Sequence, residues 1–177
     1  DLVSPSPTDR LAAVTVYQAL AVAPVRDVAL PLRYSALLRE VYDAAGIARH
    51  EIPSSRESVS SSARVTCDLD AQRSLLRVDV EHIGADLGAQ VDATAREHLS
   101  DVTHVDLVLS ARSVSRGVED LHARGFFFCA LLPEYAAHDV LRLQRLNTAS
   151  WLRPDLVTTR AREILDAILA DRESTLR

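Results

Sequence analysis

Ser113-Val-Ser-Arg-Gly-Val-Glu-Asp-Leu-His-Ala-Arg124-Gly125-Phe126-Phe127-Phe128-Cys129-Ala130-Leu131-Leu132 is the stretch whose reading decides the fold. Val114, Gly117, Val118 and Leu121 recur at helical spacing, so residues 113–124 are expected to form a short amphipathic helix that Gly125 stops. Residues 126–132 then read as a central, buried strand. Before the helix, the apolar run 102–109 is a further strand. After it, residues 133–139 read as a polar loop and 140–146 as a strand in which Leu141 and Leu143 alternate with Arg142 and Gln144.

Further out, residues 63–70 and 74–83 form a hairpin pattern. Val65, Cys67 and Leu69 alternate with polar residues, as do Leu76, Val78 and Val80, and Asp70-Ala71-Gln72-Arg73 supplies the turn. Residues 83–100 read as a loop and helix, with Leu87, Val91, Ala95 and Leu99 on one face. Residues 32–45 read as a helix closed by Gly46. Pro24 and Pro31 bracket a short extended piece at 28–30. Residues 11–23 fit a strand or a helix equally, 53–62 form a Ser-rich loop, and 151–157 read as an extended connector around Pro154. A final helix is expected over 158–171, with Thr158 or Thr159 at its cap.

At 177 residues and 47% apolar composition, the chain can bury a sizeable core without staples. Cys67 and Cys129 both lie in apolar, strand-like runs and read as buried, reduced thiols. No apolar stretch approaches the ~18 residues of a membrane span, and no basic-then-apolar leader is present, so a cytoplasmic protein is expected. A net charge of −5 without a dense basic run argues against nucleic acid. The chain has no methionine, its twenty basic residues are all Arg, and Ser4-Pro5-Ser6-Pro7 resembles a linker. Residues 1–10 are therefore read as a linker remnant and 11–177 as one domain, with an N-terminal domain of the same polypeptide preceding it.

The order helix, hairpin, helix, strand, helix, strand, strand resembles the GNAT superfamily of N-acetyltransferases, as does a helix ending in Gly-Phe before the last two strands. The likeness covers about residues 28–146. It implies an α/β fold: a mixed, mostly antiparallel central sheet flanked by helices, with the C-terminal helix added. Gly125-Phe-Phe-Phe, Leu131-Leu132-Pro133 and Asp139-Val140-Leu141-Arg142-Leu143-Gln144 look closest to modules of bacterial multidomain regulatory proteins, where such a domain sits beside an ATP-binding domain.

The resemblance also implies a site. GNAT enzymes hold the pyrophosphate of acetyl-CoA or another acyl-CoA on backbone N–H groups at a helix N-terminus, beyond a strand that splays from its neighbour. The matching positions are Ile83, Gly84, Ala85, Gly88 and Ala89. They depart from the family's Gln/Arg-x-x-Gly-x-Gly/Ala pattern, with Glu81 in the first place and Asp86 in the last. Glu81 and His82, at the end of the splayed strand, are the candidate general bases that would deprotonate a small-molecule or protein amine. Consecutive strand residues point to opposite faces, so one of the two at most can aim at the cleft. The family's general-acid Tyr is replaced by Leu121, which leaves Tyr135 as the candidate acid.

Elsewhere, His104 and Asp106 share a strand face, His138-Asp139 could orient a ligand, and Arg142 and Arg145 point opposite ways. No set of residues has zinc spacing, so no metal site is expected. Three readings follow: an acyl-CoA-dependent N-acyltransferase; a degenerate, non-catalytic GNAT-fold module that binds a ligand or partner and regulates an attached domain; or a structural, dimerising domain.

Overall fold

The computed structural model describes residues 24–55, 60–135, 137–148 and 158–175. The chain runs β1 (Arg26–Ala29), a single 3₁₀ turn (Leu32–Tyr34), α1 (Ser35–Ala45), β2 (Arg49–Ile52), β3 (Arg64–Asp70), β4 (Leu75–His82), α2 (Leu87–Glu97), β5 (Val102–Val108), α3 (Val114–His122), β6 (Phe127–Tyr135), β7 (His138–Leu146) and α4 (Thr159–Thr175). Strands β3-β4-β5-β7-β6 form one sheet, in which only the β4–β5 pair is parallel. The expected α/β fold, with a mostly antiparallel sheet, flanking helices and a C-terminal helix, is present. The linker-like residues 1–10, the ambiguous stretch 11–23 and the connector 151–157 lie outside the described residues.

Local chemistry explains most boundaries. Gly46 adopts φ +64 and closes α1 with N–H bonds to Asp43 and Tyr42 carbonyls, a left-handed cap that a side chain would resist. Gly125, at φ +85, ends the turn after α3 and turns Phe126 back so that its N–H bonds the Leu121 carbonyl at 3.1 Å. Thr158 caps α4, its Oγ1 accepting the Ala161 N–H at 3.1 Å.

Residues directly opposite in neighbouring strands share a face. One face carries Leu76, Val78 and Val80 of β4, Val105 and Leu107 of β5, Leu141 and Leu143 of β7, and Phe128 of β6. All belong to the contiguous core, together with Leu87 and Val91 of α2, Val114, Val118 and Leu121 of α3, and Leu38 and Tyr42 of α1. The Leu side chains buried there each contribute about 1.5–3 kcal/mol relative to exposure.

Several expectations are corrected. Residues 126–132 are not central: β6 is an edge strand, its outer side pinned to α4, where Asp171 Oδ2 accepts the Phe128 N–H at 2.7 Å and the Tyr34 hydroxyl at 2.8 Å. The polar loop expected over 133–139 is mostly strand, since β6 runs to Tyr135 and β7 starts at His138. Pro133 is tolerated because an edge strand does not need every N–H. Helix α2 ends at Glu97, so Leu99 misses the inner face and is 93% exposed. Cys67 is exposed, because it sits on edge strand β3, and Cys129 is half-buried; both are free. Strand β2 was not anticipated. It pairs in parallel with β1, from Arg26 opposite Arg49 to Ala29 opposite Ile52. Ala29 N–H then bonds the Leu109 carbonyl at 2.6 Å, seating this small sheet at the end of β5.

Candidate functional site

Strand β4 delivers Glu81 and His82 to the C-terminal end of the parallel pair, where open α/β sheets bind ligands. Pairing with β5 runs unbroken from Leu75 opposite Val102 to Val80 opposite Leu107, so only Glu81 and His82 extend past it. The expected splay does not occur within that pairing. Glu81 accepts an exposed ion pair from Arg64 at 2.7 Å, and His82 Nε2 meets Ser60 Oγ at 2.7 Å.

The expected phosphate cradle at the start of α2 is filled by the protein. A Cβ on Gly84 would lie 2.0 Å from Ala63 N and 2.2 Å from Ser62 C, so backbone already rests against this glycine. Ala85 N–H donates to the Ser60 carbonyl at 2.9 Å. Ala63 N–H in turn donates to Asp86 Oδ1 at 2.5 Å, and Gln90 Nε2 donates to Asp86 Oδ2 at 3.0 Å. Those two hydrogen bonds, Gln90 foremost, hold the Asp86 carboxyl below its ordinary pKa. Gly88 N–H donates to Asp120 Oδ2 at 2.7 Å, and a Cβ on Gly88 would strike Arg124 Nε at 1.9 Å. A carboxylate of the chain thus takes the anion's place at the positive end of α2. Ile83 is buried beside Gly117, whereas Ala85 and Ala89 are exposed.

Residues 53–55, which follow β2, pack against the turn before α3. Ser55 N–H bonds the Arg112 carbonyl at 2.7 Å and Ser115 Oγ donates to Ser54 Oγ at 2.9 Å. Leu121 is wholly buried in the core. Tyr135 is 43% exposed at the end of β6, with the Arg142 guanidinium over its ring. Strands β4 and β6 are three strand spacings apart, about 14 Å, so Tyr135 is not brought to Glu81 and His82.

A different cluster lies where β1 meets the start of β7. Arg49, its side chain 2% exposed, donates to Asp139 Oδ2 at 2.5 Å and to Glu134 Oε1 at 2.7 Å, and Arg26 grips Glu134 through Nε and Nη2. Tyr42 donates its hydroxyl to Asp139 Oδ2 at 2.6 Å. Burial raises the Asp139 carboxyl, but hydrogen bonds from Arg49, the Glu134 N–H and Tyr42 outweigh it and hold the pKa below the ordinary value. Burial, then the bond to Asp139, pushes the Tyr42 phenol well above its usual range. Glu134 and Ala137 carry φ of +53 and +70, strained values, and the two arginines bind the Glu134 carboxylate. Beside this network an open surface pocket of about 480 Å³ is lined by Val25, Arg26, Asp27, Val28, Ser110, His138 and Asp139. His138-Asp139 was the sequence signal for it; Arg26 and Arg49 had none, because their short strands lack periodicity.

On the second sheet face, Asp106 is bound by Arg142 through two 2.6 Å hydrogen bonds, so it does not pair with His104. Burial first, then the Arg142 charge, lowers the His104 pKa to about 4. Burial raises the Cys129 thiol to about 11, with its sulfur 4.0 Å from His104 Nε2. Arg145 points the other way, to Asp92 at 2.6 Å. Among the described residues, no three His, Cys, Asp or Glu side chains converge as metal ligands, and no helix is long and apolar enough to cross a membrane.

No family model matches the chain, and neither a curated protein nor a solved structure matches it.

Proposed function

We propose that this chain is a non-catalytic module on a GNAT-like frame, which binds a ligand or partner and regulates the domain it is joined to. One observation carries the reading: the start of α2, where an acyl-CoA pyrophosphate would be held, is filled by Ser62 and Ala63 backbone and by the Asp120 carboxylate. A phosphate there would have to displace a built hydrogen-bond network and sit between two carboxylates, Asp86 and Asp120. The open pocket beside Arg26, Ser110 and His138 falls within the ~300–1,000 Å³ of small-molecule pockets, and it supports binding at the ends of β5 and β7.

Calorimetric titration with CoA and acetyl-CoA tests this directly. No heat and no thermal shift are expected, whereas occupancy at 100 times the dissociation constant would add about 2.7 kcal/mol. A panel of small polar compounds is expected to yield a stabiliser whose effect disappears in His138→Ala. Acyl-CoA turnover that falls by roughly 10²–10⁴ in Glu81→Ala or His82→Ala would overturn the reading in favour of acyl transfer to an amine.

A further inference from the structure

The two edges of the five-stranded sheet are finished differently. The β6 edge is covered by α4 and carries Pro133. Among the described residues, no strand pairs with the outer edge of β3. Arg64, Thr66, Cys67, Asp68 and Leu69 are all exposed there, and β3 contains neither proline nor glycine. Such an edge offers a row of unpaired N–H and C=O groups to another strand.

We propose that β3 pairs antiparallel with β3 of a second copy, about a two-fold axis at Cys67, joining two five-stranded sheets into one. The strand is self-complementary in that register. Arg64 falls opposite Asp70, Val65 opposite Leu69, Thr66 opposite Asp68, and Cys67 opposite itself. Every opposed pair except the central one occurs twice, as an isologous interface requires. Opposite charges and matched apolar side chains are the pairings that stabilise antiparallel strands, and like charges directly opposite are avoided. Arg64 is 72% exposed and its ion pair with Glu81 leaves it at the surface, within reach of a new partner; Asp70 also caps its own turn through Arg73. A slip of one residue would set Arg64 against Leu69 and turn the second copy over, placing its apolar face on the opposite side. The symmetric register keeps both helical layers on one side. This surface lies apart from the Arg26–His138 pocket, which is lined at the ends of β5 and β7, and does not depend on what that pocket holds.

The test is the oligomeric state of the chain with its only exposed described thiol as reporter. Sedimentation equilibrium is expected to show a concentration-dependent dimer. Opposed residues in antiparallel strands have Cα atoms about 4.5–5.5 Å apart, within the span a disulfide bridges. Diamide, taking two electrons and two protons from two thiols, is therefore expected to cross-link wild type and Cys129→Ser but not Cys67→Ser. Arg64→Asp sets like charges opposite each other twice and is expected to weaken the dimer about tenfold or more. Arg64→Asp combined with Asp70→Arg restores the pairing, and Arg64→Gln is the milder variant should either fold poorly. A monomer at every concentration overturns the proposal, as does a dimer that Arg64→Asp and Arg64→Gln leave unchanged or that does not cross-link through Cys67.

Discussion

The two faces of the five-stranded sheet are built by opposite rules on the same strands. On one, Val78, Val105, Leu143 and Phe128 stand in a row, and Val80, Leu107 and Leu141 in the next; all lie in the continuous core under α2 and α3. On the other, the rows read Arg77, His104, Gln144 and Asp79, Asp106, Arg142. The sheet residues of the contiguous core all come from the first face. The first face supplies the area that drives folding. The second supplies register through one matched pair of charges across the strands. Asp106 and Arg142 are directly opposed and doubly hydrogen-bonded. Asp79, beside them, has its pKa raised by burial and then by the Asp106 charge.

Neighbouring residues on β7 break this comparison most sharply. Arg142→Ala leaves Asp106 buried and unpaired, which costs about 3–5 kcal/mol. Leu143→Ala opens a cavity in the opposite face and costs about 2–5 kcal/mol. The distinguishing variant is Asp106→Leu with Arg142→Met. Removing both charges is expected to bring stability back to within about 1 kcal/mol of wild type, since a buried ion pair contributes little net energy over apolar replacements. Urea unfolding measures all three. A double variant as unstable as Arg142→Ala would mean that the second face folds the chain rather than orders it.

What was legible in the sequence follows the same division. Period 2 in Val65-Cys67-Leu69 and Leu76-Val78-Val80, and period 3.6 in Val114-Gly117-Val118-Leu121, report apolar faces, and those elements stand where expected. Strand β2, Arg49-His-Glu-Ile, has no such pattern. It is held by pairing with β1 and by burial of the Arg49 guanidinium against Asp139, both long-range events. The edge position of β6 was signalled only by Pro133. Gly84 and Gly88 are expected to admit a pyrophosphate, but a glycine does not say what approaches it. At Gly84 it is the Ala63 backbone and at Gly88 the Arg124 side chain. Residues 62 and 63 return to Gly84 from 22 and 21 positions away, and nothing local in Ser60-Ser-Ser-Ala63 announces it.

Acid sharpens the contrast by a smaller amount. His104 faces Arg77, Arg142, Asp106 and Cys129, and its pKa of about 4 lies below the ordinary value near 6.5. The fold therefore favours the neutral ring, and protonation favours the unfolded chain. Its contribution is complete above about pH 6.5 and declines as pH falls towards 4, by about 2 kcal/mol at pH 5. His122, whose pKa is also lowered by burial first, adds in the same direction. Stability measured at pH 7 and pH 5 should differ less in His104→Gln than in wild type. Equal losses in the two proteins would place the acid sensitivity elsewhere.

The smallest effect is expected at Leu99, where helical spacing and structure part. Leu87, Val91, Ala95 and Leu99 would share one face of a continued helix, but His98 takes φ −116 and ψ 98 and its N–H closes the last turn on the Thr94 carbonyl at 3.2 Å. The chain leaves the helix there, and Leu99 swings to 93% exposure while Leu87 and Val91 stay fully buried. Burial decides cost, so Leu99→Ser should change stability by no more than about 0.5 kcal/mol, as surface substitutions do. Leu87→Ala, one helix length earlier on the same nominal stripe, should cost about 2–5 kcal/mol. Paired urea denaturation curves of the two variants give both numbers. A loss above about 1.5 kcal/mol in Leu99→Ser, well beyond the surface range, would mean that something covers this side chain in solution and that the apolar face of α2 extends one turn further than its hydrogen bonds.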